Sequence, residues 1–246
     1  MRRLRVALGC LTIVPVKLRG DARETDLGGS LLWFPLVGLL IGLVLAGTHA
    51  AASQFLPPLA AAACVLLAWV LVTGALHLDG FGDVCDGLYA GRTPAERLRI
   101  MKDPQIGAMA AVGLGTLLLM KFALLCSLPP AAMPSTLLLS PCLGRYAMVL
   151  MGTTLPYARP EGGTASAFVR FAPPGALAWT TAFVLPVSWL AFGWVGLALL
   201  GASMAAGLAL RSVFRRTLGG ITGDALGATG ELTELVVLFG ACLAAG

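Results

Sequence analysis

Long apolar runs recur along this chain, and the loops between them alternate between basic and uncharged. That pattern leaves few folds open. A helix needs about 20 apolar residues to cross the hydrocarbon of a bilayer. Runs of this kind cover 30–51, 59–76, 106–128 and 133–153, and a shorter one covers 232–245. The run 175–210 is too long for one crossing, so two helices with a break near 191–193 are expected. The reading is an all-α, polytopic membrane helical bundle of about seven transmembrane helices, forming one integral membrane domain over 1–246. Only 12% of the residues are charged, against about a quarter in a soluble domain.

The loops set the orientation. Arg2, Arg3, Arg5, Lys17, Arg19 and Arg23 precede the first run, and 53–58 carries no Lys or Arg. The next loop holds Arg92, Arg97, Arg99 and Lys102, and 129–132 holds none. Arg159 and Arg170 follow, then an uncharged turn near 191, then Arg211, Arg215 and Arg216. Cytoplasmic loops carry the excess of Lys and Arg, so the N-terminus is expected in the cytoplasm and the C-terminus on the other side. The net charge of +5 sits in these loops, which argues against nucleic acid as a partner. The basic start MRRLRVALGC has an apolar stretch that stops at Pro15, and it reads as a retained interfacial helix rather than a signal peptide. The six cysteines form no CxxC pair, so neither disulfides nor a thiolate metal cluster is expected. Two charges fall within spans. Lys121 either faces protein or water or snorkels to the interface, and Arg145 is near enough to the cytoplasmic end to reach an anionic substrate.

Chemistry concentrates in HLDGFGDVCDGLYAGRTPAERLRIMKDPQIGA, from His77 to Ala108. If 77–88 continues the second span as a helix, Asp79, Asp83 and Asp86 share a face, since residues three and four apart are neighbours. Three like charges at that spacing repel unless a cation joins them. Oxygen-only ligands favour magnesium or manganese, and magnesium commonly uses one or two carboxylates plus substrate phosphates. Gly80, Gly82 and Gly87 leave room for a phosphate or allow tight helix packing. On this reading Asp79 and Asp83 bind metal, Asp86 is a ligand or base, and Arg92 and Lys102 hold phosphate. His77 orients an acid, binds phosphate, or has no special role.

A second polar cluster, LGGITGDALGATGELTEL, precedes the last run. Its glycines suggest a flexible cytoplasmic loop with backbone N–H groups available to anions. Asp224, Glu231 and Glu234 lie at the mouth of that span. The two glutamates supply metal ligands, a general base or ribose contacts, or they form an ordinary acidic first turn of a helix.

These motifs, together with WFPLVGLLIG at 33–42 and PYAR at 156–159, resemble the cobalamin synthase family of adenosylcobinamide-GDP ribazoletransferases, over nearly the whole chain and in the expected order. The resemblance implies a multi-pass enzyme of the bacterial cell inner membrane. It would join adenosylcobinamide-GDP to alpha-ribazole or its 5′-phosphate, release GMP, and use Mg2+. Carrying the family motifs onto this sequence picks out Asp79, Asp83, Asp86 and Asp103, with Asp224 and Glu231 or Glu234 in the second motif. Together with the reading of the residues, this assigns Asp86, Asp103 and Glu231 as catalytic. His77, Arg92, Lys102, Arg145, Arg159 and Asp224 are assigned to substrate, and Asp79, Asp83, Asp86 and Glu234 to metal. The lipid bilayer is a partner, and a homo-oligomer or association with other corrinoid-assembly enzymes stays open. The segment CLTIVPVK lacks the Arg expected before its Pro, and Val84 and Cys85 stand where small residues are common.

Two other classes fit less well. A CDP-alcohol phosphotransferase needs DGxxAR, whereas DGLYAGR here is one residue too long and its acids precede the arginine. A secondary transporter expects acids at mid-bilayer and two related halves, and neither is visible.

Overall fold

The computed structural model describes residues 1–17, 20, 22–163 and 165–245. Arg19, counted above among the basic residues, lies outside them. The described chain is all-helical: α1 (Arg2–Leu11), α2 (Glu24–Ser30), α3 (Phe34–Ala52), α4 (Pro58–Thr73), α5 (Leu76–Ala90), α6 (Pro94–Ile100), α7 (Ala108–Ser127), α8 (Met133–Thr154), α9 (Ser166–Arg170), α10 (Ala176–Phe192), α11 (Trp194–Thr217) and α12 (Gly223–Ala245). A single 3-10 turn, Leu31–Trp33, joins α2 to α3.

Every apolar run falls in a helix, but the number of spans differs from the expectation of about seven. Four helical stretches among the described residues are long and apolar enough to cross a membrane, and the bent pair α4–α5 raises this to five. The reasons are local. Helix α10 has 17 residues, and Arg145 with the Ser and Thr residues of α8 lowers that helix's hydropathy.

Helix α8 is the axis of the bundle. Residues 139–152 are all buried, and α3, α10, α11 and α12 pack around it. A helix buried on every side has no face toward solvent or lipid, so its place is the centre, and its few polar groups, Ser140 and Arg145 among them, find partners there. The closest neighbour is α3, whose Gly38 and Gly42 form a GxxxG seat. A Cβ on Gly38 would lie 2.3 Å from the Pro141 carbonyl oxygen, and one on Gly42 would lie 2.6 Å from that of Leu137. Lipid is as apolar as Leu, so close backbone packing rather than the hydrophobic effect draws membrane helices together.

The sequence suggested that α5 continues α4. It is a helix, but the chain turns by 88° between the two. Gly74 (φ 61°) and Ala75 (φ 56°) both adopt left-handed backbone, which ends α4 and restarts the chain in a new direction. The N-terminal segment braces the corner, with the Ile13 N–H donating to the Val72 carbonyl at 3.0 Å. The break expected near 191–193 is found at Gly193, between α10 and α11. Residues 223–231, expected as a flexible loop, form the first turns of α12. The Thr222 hydroxyl caps that helix by accepting the Ala225 N–H at 3.1 Å.

Candidate active site

The corner at Gly74–Ala75 decides what α5 presents. At about 100° per residue, Asp79, Asp83 and Asp86 lie about 200°, 240° and 180° around the helix from His77. One face therefore carries the aspartates and the opposite face carries His77. The sides match this division: His77 is buried, Asp83 and Asp86 are half-buried, and Asp79 is exposed.

The aspartate face lines a cavity of about 280 Å³. Its other wall is the segment after α6, where Lys102 and Asp103 also line it. Asp86 fixes that wall. Its two carboxylate oxygens accept the Gly107 N–H at 2.7 Å and the Ala110 N–H at 2.9 Å. These are orphan donors at the start of α7, so Asp86 is a helix cap supplied from 21 residues away. A Cβ at Gly107 would lie 2.4 Å from Asp86 Oδ1, so a side chain there would displace the capping carboxylate. The Asp103 carboxylate accepts the Gln105 N–H at 3.0 Å.

The start of α12 reaches the same place. A Cβ on Gly80 would lie 2.7 Å from the Asp224 Cα, so the backbones of α5 and α12 nearly touch. The PYAR segment runs beside residues 220–222. The Ala158 N–H donates to the Ile221 carbonyl and the Ile221 N–H to the Pro156 carbonyl, both at 2.9 Å. This pairing aims Arg159 at Asp224, with Nη2 2.7 Å from Oδ2. Asp83 therefore feels the negative charges of Asp224, Asp79 and Asp86, against the positive charge of Arg159. Outside, Lys102 pairs with Glu161 across two exposed loops, and this hydrogen bond holds the Glu161 carboxyl below the usual carboxylate range.

The two glutamates of α12 have a different environment. Glu231 and Glu234 are 2% and 0% exposed. Lys121 on α7 donates to both, at 2.6 Å to Glu231. Arg145 on α8 pairs with Glu234 through Nη1, and its Nη2 lies 3.0 Å from His77 Nδ1. Arginine has only donors, so Nδ1 accepts and the His77 ring proton sits on Nε2. Lys121 also lies 4.5 Å from the centre of the Trp69 ring. Two cations and two anions balance in the middle of the bundle.

A family model for cobalamin-5-phosphate synthase matches residues 3–242. The chain belongs to the cobalamin-5-phosphate synthase family. An adenosylcobinamide-GDP ribazoletransferase of Pseudomonas paraeruginosa is 45% identical over 242 residues, covering 97% of this chain and 96% of that protein. Proteins of the same name from Ectopseudomonas mendocina and Chlorobium phaeobacteroides are 41% and 38% identical, covering 97% and 96% of this chain and 98% and 96% of their own. No solved structure matches the chain.

Within this family member, Asp79, Asp83, Asp86, Asp103 and Lys102 share one cavity, and Asp224 with Arg159 adjoins it. His77, Arg145, Glu231 and Glu234 are not among the residues that line it; they form the buried charge network. Arg92 is exposed and does not line the cavity either, while its N–H donates to the Glu96 carboxylate at 2.8 Å. Among the described residues no three acidic, His or Cys side chains converge into a ready-made metal cage. The acids that line the cavity, Asp79, Asp83, Asp86 and Asp103, offer only carboxylate oxygens, the ligand type magnesium prefers. Glu161 was not singled out in the sequence, and its place beside Lys102 has no local signature. Arg97 was noted only as a loop charge. It ties α6 to the end of α11 through the Thr217 carbonyl, at 3.1 Å.

Proposed function

We propose that this protein is an adenosylcobinamide-GDP ribazoletransferase, joining adenosylcobinamide-GDP to alpha-ribazole or its 5′-phosphate and releasing GMP. The observation that carries the reading is the near-full-length match to relatives of that name. The cavity chemistry supports it independently. An in-line displacement at phosphorus needs its diphosphate neutralised, its leaving group stabilised and a proton taken from the attacking hydroxyl.

Each need has a candidate. Asp79 and Asp83, one helical turn apart on the open face of α5, would hold Mg2+. Bound there, magnesium would neutralise the diphosphate and the departing GMP. Lys102 and Arg159 bring positive charge to the remaining phosphate oxygens. Asp86 positions the loop that carries Lys102 and Asp103. Asp103 takes the proton as the ribazole hydroxyl bonds to the phosphorus bearing the cobinamide. The bond from that phosphorus to the GMP oxygen breaks, and its electron pair leaves with GMP. A cavity of about 280 Å³ is at the small end for an organic ligand. It suits the diphosphate, with the corrinoid and guanosine extending outside. The basic loops support an opening toward the cytoplasmic side of the inner membrane.

The test is GMP release by the purified protein in detergent, given adenosylcobinamide-GDP, alpha-ribazole and magnesium. Release that stops with EDTA and in Asp83→Asn is the expected result. No release, or release indifferent to both, overturns the reading.

A further inference from the structure

We propose that the buried chain His77–Arg145–Glu234–Lys121–Glu231 is a positioning device that sets the rotation of α5, and that His77 and Arg145 are positioning residues rather than substrate ligands. The proposal rests on the reading of the aspartate cavity as the active site.

Three observations carry it. The chain links the four helices that must agree for the cavity to exist: α5 (His77), α7 (Lys121), α8 (Arg145) and α12 (Glu231, Glu234). It is sealed, since Arg145 and Glu234 are 0% exposed, Lys121 and Glu231 2% and His77 3%. It also grips α5 on the face opposite the aspartates, so a turn of α5 that broke the His77–Arg145 bond would carry all three carboxylates the same way.

The need for such a device follows from the corner. Residues Gly74 and Ala75 cut α5 from the direction of α4, and the α5–α12 contact is built on glycine. Gly80 meets the Asp224 backbone, and a Cβ on Gly227 would lie 3.0 Å from the His77 Cα. Glycine contacts fix how close two helices lie but resist rotation weakly; Asp86 ties the far end of α5 to the start of α7, and His77 ties its first turn. A directional hydrogen bond resists it well. Ionisable groups inside a membrane bundle are costly, and they are kept where function requires them. Here the function is holding Asp79 and Asp83 toward Asp224 and Arg159.

Arg145→Lys, His77→Phe and the charge-neutral pair Arg145→Met with Glu234→Gln test it, each measured per folded molecule. Three quantities are read: kcat, KM for adenosylcobinamide-GDP, and Mn2+ binding without substrate by paramagnetic resonance. Misplacing the carboxylates is expected to lower kcat by about a hundredfold, weaken Mn2+ binding and, at saturating magnesium, leave KM close to that of the unaltered protein. The double variant removes one charge of each sign, so it tests the idea if single variants fail to fold. An increase in KM with kcat and Mn2+ binding retained would make Arg145 a phosphate ligand and overturn the proposal. Unchanged kcat and Mn2+ binding, with only a lower melting temperature, would overturn it as well. An inactive unaltered protein would instead defeat the functional reading, and the Mn2+ measurement would still report on α5.

Discussion

Two clusters of acids in this protein have nearly the same composition and opposite surroundings. The aspartates of α5 sit at the wall of a cavity with too few cations to balance them. The glutamates of α12 sit inside the bundle, and Lys121 and Arg145 neutralise them. An acid that is buried and paired serves the structure, because its partners consume its lone pairs and its charge. An acid that is open and crowded by like charges stores a demand for a cation. The second condition is unfavourable until a ligand arrives, which supports the aspartate face as the candidate site.

The comparison breaks most sharply under substitution. Asp83→Asn removes a carboxylate from the crowded face, and turnover should fall by about a hundred- to a thousandfold. The melting temperature in detergent should hold or rise, since one repulsion is gone; a coincident loss of stability would mean that Asp83 is structural. Glu234→Ala should act first on stability, with any loss of turnover following from a misplaced α5. Leaving Arg145 and Lys121 short of a buried partner costs about 3–5 kcal/mol, to be read as a lower unfolding midpoint. Asp224→Asn weakens the pairing with Arg159 at the border between the two regions. About a tenfold loss of kcat/KM is expected there, with little change in stability. The smallest effect belongs to Glu161→Gln, because water screens an exposed ion pair and leaves it little net stabilisation. Its unfolding midpoint should not move measurably, and the freed Lys102 should lower KM slightly.

Much of this was legible in the sequence, for physical reasons. Apolar runs found their helices because a membrane helix must satisfy its backbone within itself. The break at Gly193 was visible because the run was too long for one crossing. Asp79, Asp83 and Asp86 were placed on one face because helical spacing is local. The corner at Gly74–Ala75 was not visible, since Ala gives no sign of left-handed backbone. Residues 223–231 read as a loop because their glycines are poor helix formers. In the fold those small residues admit the backbones of α5 and α8, and packing outweighs propensity. Lys121 and Arg145 each signalled a need for a partner, and Glu231 and Glu234 signalled shared geometry. Their pairing spans 89 to 113 residues, and nothing local in the chain records it.

The most direct test of the division between the two acid clusters is GMP release per folded molecule for Asp83→Asn beside Glu231→Gln. The expected result is turnover lost in the first at full stability, and stability lost in the second with turnover falling about tenfold or less. A stable Glu231→Gln protein without turnover, beside an active Asp83→Asn protein, would contradict the account.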